Sequence, residues 1–151
     1  MGREIGFPLR LISLPLLGEL LSRPSLHGSR SFAEDLVFDK SLIIDEDVQF
    51  DYEISCLPGS QQAFLKTLRS LGSFGGQKRS FYGPILEKLS TIAQPTLVLW
   101  GREDTIVPVQ HSEAARKIPN ARIHIFEHCR HMPQFEHIVE FDQALQAFLR
   151  D

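Results

Sequence analysis

Two loops in the last third of the chain carry side chains suited to acid–base chemistry. The first loop, residues 101–108, contains Asp104, and the second, residues 127–133, contains His131. A buried carboxylate that accepts a hydrogen bond from the Nδ1–H of an imidazole fixes the tautomer and leaves Nε2 free as a general base. We therefore expect an oxygen of Asp104 to lie about 2.6–3.2 Å from a ring nitrogen of His131.

Strands are predicted immediately before both loops. Pro95–Trp100 is a continuous apolar run ended by Gly101, and Ala121–Phe126 is a second strand. A helix opened by Pro108 and running through Lys117 is predicted between them. This order predicts a parallel βαβ unit with both loops at the carboxyl edge of the sheet. A final helix follows, with its apolar face formed by Ile138, Phe141, Leu145, Phe148 and Leu149.

The part of the chain before residue 90 has a different character, with helical segments separated by proline and glycine. The predicted helices are Pro15–Leu21, Glu34–Ile54, Ser60–Leu71 and Phe81–Leu89. The character of the sequence changes between Ser80 and Gln94. We therefore predict two regions, a helical one over residues 1–90 and a β-α-β-α one over residues 91–151.

Both loops resemble the C-terminal motifs of the α/β-hydrolases. Residues 95–108 (PTLVLWGREDTIVP) are similar to the family's strand-G-x-x-D-x-x-x-P segment, and residues 131–136 (HMPQFE) to its H-x-P-x-x-E segment. The resemblance implies the C-terminal part of an α/β-hydrolase fold, two parallel strands with flanking helices, preceded by a helical cap. It also implies that Asp104 is the acid and His131 the base of a catalytic triad.

The chain departs from that family pattern in three ways. Arg130 stands where the family usually has glycine before the histidine, and Ile138 replaces a proline common at the start of the last helix. The 151 residues contain no G-x-S-x-G, the motif that carries the nucleophile. Ser73, in LGSFG, is the nearest candidate, but a predicted helix precedes it instead of a strand.

Other interpretations apply to the same residues. Asp104 could be only a turn or helix-capping carboxylate, and His131 a surface-loop histidine. We take Glu103 and His111 as solvated, and Cys129 as a buried structural thiol and not a nucleophile. A metal site is the weaker alternative, because its candidate ligands lack the i, i+4 helical spacing of zinc-binding histidines. These candidates are His124, His128 and His131, with Cys129 and His137 nearby.

Composition excludes several function classes. The net charge of −3 gives no basic surface for nucleic acid. The most apolar stretch, Ile5–Leu21, is interrupted by prolines and charges and is a poor membrane span. Two cysteines make no disulfide framework, which favours a cytoplasmic protein.

The predicted function is hydrolysis of a small ester or a carbon–carbon bond, on an apolar or aromatic substrate and with no cofactor or metal. The alternative is an inactive fragment or split-protein subunit that acts through protein association. Without a nucleophile, the isolated chain should show no His131-dependent esterase activity. An apolar strand edge at Thr96–Trp100 should then bind a second copy or a missing N-terminal half.

Overall fold

A computed structural model describes residues 2–150, so Met1 and Asp151, the outer bounds of the two predicted regions, lie outside the described part. The chain begins with five helices, of which the last is the helix predicted from the spacing of Phe64, Leu68 and Leu71. Helix α3 begins where the Ser25 hydroxyl accepts a hydrogen bond from the Gly28 N–H. The helices are α1 (Phe7–Ile12), α2 (Leu17–Leu21), α3 (Leu26–Leu36), α4 (Asp45–Ser55) and α5 (Ser60–Leu71).

The prediction of a mostly helical segment over Glu34–Ile54 is wrong in its middle. Helix α3 ends at Leu36, and residues 37–44 are irregular except for a short 3₁₀ turn at Lys40–Leu42. Asp39 accepts hydrogen bonds from the backbone and the hydroxyl of Ser41, which favours a turn over a helix. Val37 is extended and fully buried, so tertiary packing holds the break.

A small antiparallel hairpin follows α5. Its strands are β1 (Gly72–Ser73) and β2 (Gly76–Gln77), and α6 (Arg79–Lys88) comes next. Ser73 therefore lies in a hairpin and not on a turn from a strand into a helix.

The two predicted strands form a parallel pair. They are β3 (Thr96–Gly101) and β4 (Ala121–Phe126), and their register runs from Thr96 opposite Ala121 to Gly101 opposite Phe126. The connection at Val109–Lys117 is helical as predicted, but it has 3₁₀ geometry. Because the strands are parallel and in step, the loops that follow them leave the same edge of the sheet.

Two helices complete the chain, α7 (Pro133–Glu136) and α8 (Ile138–Arg150). Phe126 at the end of β4 is fully buried, and its ring stacks on Phe141 of α8 with the centroids 6.4 Å apart. The observed fold is thus α/β, with two parallel strands flanked by helices and preceded by a helical region. No helix within residues 2–150 is both long and apolar enough to cross a membrane.

His111 was predicted to be solvated, and the structure corrects this. His111 is only 5% exposed, and Gly2 lies against its ring. The Gly2 N–H donates to Nδ1 of His111 at 3.3 Å, and burial lowers the pKa of this histidine.

Candidate active site

Asp104 lies at the start of the turn that follows β3, with its side chain almost completely buried. Its Oδ1 accepts hydrogen bonds from the backbone N–H groups of Ile106 at 2.8 Å and Val107 at 2.9 Å. The indole N–H of Trp100 donates to the Val107 carbonyl at 3.0 Å and braces the same turn. The turn therefore fixes the carboxylate and leaves its other oxygen for a second partner.

His131 is that second partner. Its Nδ1 lies 2.8 Å from Oδ2 of Asp104, within the range expected from the sequence. Since an ionised carboxylate only accepts hydrogen bonds, Nδ1 carries the proton and Nε2 remains for proton transfer. The Asp104 side chain is 4% exposed and the His131 side chain 40% exposed, so the pair joins a shielded acid to an accessible imidazole. The hydrogen bond to Asp104 raises the pKa of His131, and partial burial opposes this shift.

The two loops are also joined through their backbones. The Arg102 N–H donates to the Phe126 carbonyl, and the Glu103 N–H donates to the Cys129 carbonyl, both at 2.9 Å. The Glu103 carboxylate accepts from the Cys129 N–H at 3.0 Å. The prediction that Glu103 is solvated is therefore wrong: its side chain holds the second loop to the first. A second carboxylate beside Asp104, in the loop that follows β3, was the available signal.

Cys129 is fully buried, as predicted. Burial raises the pKa of its thiol, and the neighbouring carboxylate of Glu136, 3.4 Å from Sγ, raises it further. The group therefore stays a thiol near neutral pH and has no nucleophilic thiolate.

The histidines considered as metal ligands are engaged by other side chains and do not converge on one point. His124 pairs with Glu140 at 2.8 Å, and the ring of His128 contacts that of Phe38, with the centroids 5.3 Å apart. His137 also faces Glu140, at 3.5 Å. Within residues 2–150, no three histidine, cysteine, aspartate or glutamate side chains are grouped so that they could hold a metal ion.

Two of the cavities that adjoin the loops lie near the Asp104–His131 pair or the first loop. An open groove of about 190 Å³ lies beside the Asp104–His131 pair, with walls formed by Leu99, Trp100, Val107 and Pro133. A second cavity of about 180 Å³ lies between the helical region and the first loop, and Leu9, Ile12, Phe32, Phe64 and Ile106 are among the residues that line it. Ser73 lines neither cavity, and its hydroxyl points back to the Gly76 carbonyl at 3.5 Å.

Comparison with known proteins identifies the family. A family model described as the alpha/beta hydrolase fold matches residues 49–138, more than half of the chain, and the matched range contains both Asp104 and His131. The chain belongs to the α/β-hydrolase family.

Its curated relatives include hydrolases with related names. The chain is 31% identical to a 2-hydroxymuconate semialdehyde hydrolase of Pseudomonas putida, over 85% of this chain and 45% of the relative. It is 28% identical to a 2-hydroxy-6-oxo-6-phenylhexa-2,4-dienoate hydrolase of Burkholderia cepacia, over 99% of this chain and 50% of the relative. The chain thus spans about half the length of the curated relatives it matches.

A solved structure supports the fold. A meta-cleavage product hydrolase from Pseudomonas fluorescens IP01, in a mutant complexed with acetates, superimposes with a TM-score of 0.73 at 24% identity. The superposition covers 97% of this chain and 51% of that protein.

Proposed function

We propose that this chain supplies the acid and the base of a hydrolase that cleaves a carbon–carbon bond in a small ring-cleavage product. The observation that carries the proposal is the 2.8 Å hydrogen bond between Asp104 and His131, at the carboxyl edge of a parallel strand pair. The family membership and the names of the relatives supply the reaction class.

In this proposal His131 moves protons and Asp104 orients it. Nε2 of His131 takes a proton from a nucleophile or from water and returns it to the leaving carbon. Asp104 holds the Nδ1–H tautomer and stabilises the imidazolium while the ring is charged. The nucleophile would come from a G-x-S-x-G segment outside these 151 residues, and it would approach through the groove lined by Leu99 and Trp100.

The proposed substrate is apolar or aromatic over part of its length. The cavity beside the first loop has aromatic walls from Phe32 and Phe64, and Asp35 is the charged residue at its edge. Such a cavity fits the apolar end of a small molecule whose reacting carbon lies near His131. In this proposal, residues 1–90 are a cap over that site and residues 91–151 are part of the hydrolase core.

A chimaera tests the proposal directly. The part of the Pseudomonas putida relative that this chain does not match is fused to the chain, and hydrolysis of 2-hydroxymuconate semialdehyde is measured. We expect turnover, and we expect His131→Ala to lower kcat by at least about 1,000-fold, which is within the usual contribution of a positioned general base. The matched control is His128→Ala, which removes an exposed imidazole from the same loop and should retain activity. Equal losses in the two variants would contradict the proposal.

The isolated chain gives a complementary result. It should hydrolyse p-nitrophenyl acetate no faster than its His131→Ala variant, because an imidazole without a nucleophile accelerates ester hydrolysis little. A His131-dependent rate well above background would mean that the chain contains its own nucleophile, with Ser73 the first residue to test.

A second candidate function is protein association without catalysis. It is supported by the edge of β3 opposite β4, which pairs with no strand among residues 2–150. In this role the chain would bind a second copy or a complementary polypeptide that supplies the next strand. A chimaera that folds and binds substrate but shows no His131-dependent turnover would favour this function.

A further inference from the structure

The loop that carries His131 is bound to the carboxyl end of helix α3. The last carbonyl groups of a helix have no partner within the helix, so they are available to other donors. The backbone N–H of His131 donates to one of them, the carbonyl of Leu36, at 2.9 Å. The backbone of the candidate base is thus held by a helix that is about 95 residues away in sequence.

Arg130 strengthens the same contact. Its Nη1 lies 3.3 Å from the Glu34 carbonyl and 3.5 Å from the Asp35 carbonyl, and 3.7 Å from the Asp35 carboxylate. A cation at a helix carboxyl terminus interacts favourably with the partial negative charge there. The arginine that replaces the family's usual glycine therefore acts as a cap for α3.

Glu136 provides the return connection. One oxygen of its carboxylate accepts from the Arg130 N–H at 2.7 Å, and the other accepts from the Phe38 N–H. Val37, which lies in sequence between Leu36 and Phe38, is fully buried. The loop and the segment after α3 are therefore joined in both directions, by donors from the loop and by an acceptor from α7.

We propose that Arg130 and Glu136 are positioning residues, which fix the orientation of His131 towards Asp104 by tying its loop to the end of α3. The inference rests on the proposed role of His131 as the base. Its consequence is that the geometry of the acid–base pair depends on where α3 lies. A shift of α3 relative to the sheet would loosen the pair without touching either residue.

The experiment follows His131 itself in the full chain, so it needs no turnover. Two-bond ¹H–¹⁵N NMR spectra report which ring nitrogen carries the proton and, as a function of pH, the pKa of the ring. Arg130→Met removes the donors and the charge but keeps most of the side-chain volume, and Arg130→Lys restores a cation at the helix end. Arg102→Met is the matched control, because Arg102 pairs with Glu127 near the same sheet edge and does not contact α3.

The direction of the pKa change separates positioning from simple charge removal. Loss of a nearby positive charge alone raises the pKa of a histidine, whereas loss of the Asp104 hydrogen bond lowers it. We expect Arg130→Met to lower the pKa of His131 and to reduce the population of the Nδ1–H tautomer, and we expect Arg130→Lys to restore both in part. A raised pKa with an unchanged tautomer, or the same result as for Arg102→Met, would overturn the proposal.

Hydrogen exchange measured by mass spectrometry provides a second readout that tolerates association of the chain. Arg130→Met and Glu136→Gln should each speed amide exchange in residues 128–137 by about tenfold, which is the effect of losing one charge-assisted hydrogen bond. Unchanged exchange in both variants would also overturn the proposal. An inactive chimaera with a normal Nδ1–H signal would count against the proposed function and not against this inference.

Discussion

Asp104 uses its two carboxylate oxygens for different partners. Oδ1 accepts from two backbone N–H groups of its own turn, and Oδ2 faces His131. An asparagine can keep the first set of contacts through its amide oxygen, but it places an NH2 donor where the charged oxygen accepts from the imidazole. Asp104→Asn is therefore a specific probe of the pair and leaves the turn intact.

The effect of Asp104→Asn on stability should depend on pH. The carboxylate raises the pKa of His131, so the pair stabilises the folded chain fully below the ordinary histidine pKa, and this contribution is lost as pH rises through the raised value. We expect the variant to lose about 1 kcal/mol more unfolding free energy at pH 5.5 than at pH 8.5, a value discounted for the 40% exposure of the imidazole. Urea unfolding of both proteins at the two pH values, at one fixed protein concentration, measures this difference in unfolding free energy.

The control is the same substitution in a His131→Ala background. Without the imidazole, the cost of Asp104→Asn should no longer vary between the two pH values. If the variation persists, a different titrating group is responsible.

At the residue scale, the sequence was sufficient for groups whose positions are set by local turns. Asp104 and His131 follow adjacent strands, and that order predicted that their side chains would meet. The prediction that Glu103 and His111 are solvated was wrong, because Glu103 bonds to the second loop and His111 to Gly2, both distant in sequence. The contact between Glu136 and the Phe38 N–H was equally unpredictable, because it requires α3 to end at Leu36.

At the end of strand β3, Gly101 lies very close to the backbone of the loop that carries His131. A Cβ atom on Gly101 would lie 1.8 Å from the Arg130 carbonyl oxygen and 2.4 Å from that of Cys129. Both are backbone atoms of the loop that carries His131, so neither can move without shifting the loop. Glycine at this position thus allows the two loops to approach each other.

Gly101→Ala should therefore destabilise the chain by about 3 kcal/mol, the upper end of the usual cost of overpacking. Gly83→Ala in α6 is the matched control, because its Cβ would meet only the Arg79 side chain at an ordinary 3.5 Å. The control should be neutral or stabilising by up to about 1 kcal/mol, since alanine favours a helix over glycine. Denaturant unfolding compares the two variants, and similar losses would contradict the close approach of Gly101 to the second loop.

At the scale of elements, the spacing of apolar residues predicted a helix or strand correctly where it matched one element type throughout. The helix Ser60–Leu71 and the strand pair were both anticipated, because their apolar spacing matches one element type. Residues 34–54 mix carboxylates with large apolar side chains, and the buried Val37 breaks that helix for tertiary reasons. The apolar spacing of Val109–Lys117 predicts a helix but does not distinguish a 3₁₀-helix from an α-helix.

The solvent-accessible surface of the whole molecule is larger than that of a typical folded monomer of the same mass. Its accessible surface is 9,686 Å², whereas a monomer of this mass typically exposes about 7,800 Å². Large apolar side chains contribute to the excess, including Val139 and Leu149 of α8, each more than 70% exposed. The excess is about twice what one partner buries in a standard protein interface.

We therefore predict that the isolated chain associates at micromolar concentration, as a dimer or larger species in sedimentation velocity. Leu97→Lys places a charge on the free-edge strand β3 and should weaken the association, as charged residues on edge strands do. Leu57→Lys, at an exposed position between α4 and α5, is the control and should leave it unchanged. A monomer that unfolds cooperatively and binds no hydrophobic dye would contradict the prediction.

The contacts of His131 also differ in how much chain they enclose, which bears on the order of folding. The His131–Asp104 bond spans 27 residues of chain. The bonds of Arg130 to Glu34 and of Glu136 to Phe38, which hold this region to the end of α3, span 96 and 98 residues. Loop closure grows more costly with length, and the longer loops cost about 1 kcal/mol more in chain entropy. We therefore expect Asp104 and His131 to meet before α3 packs against the second loop during folding. The packing of α3 then fixes the orientation of a contact that has already formed.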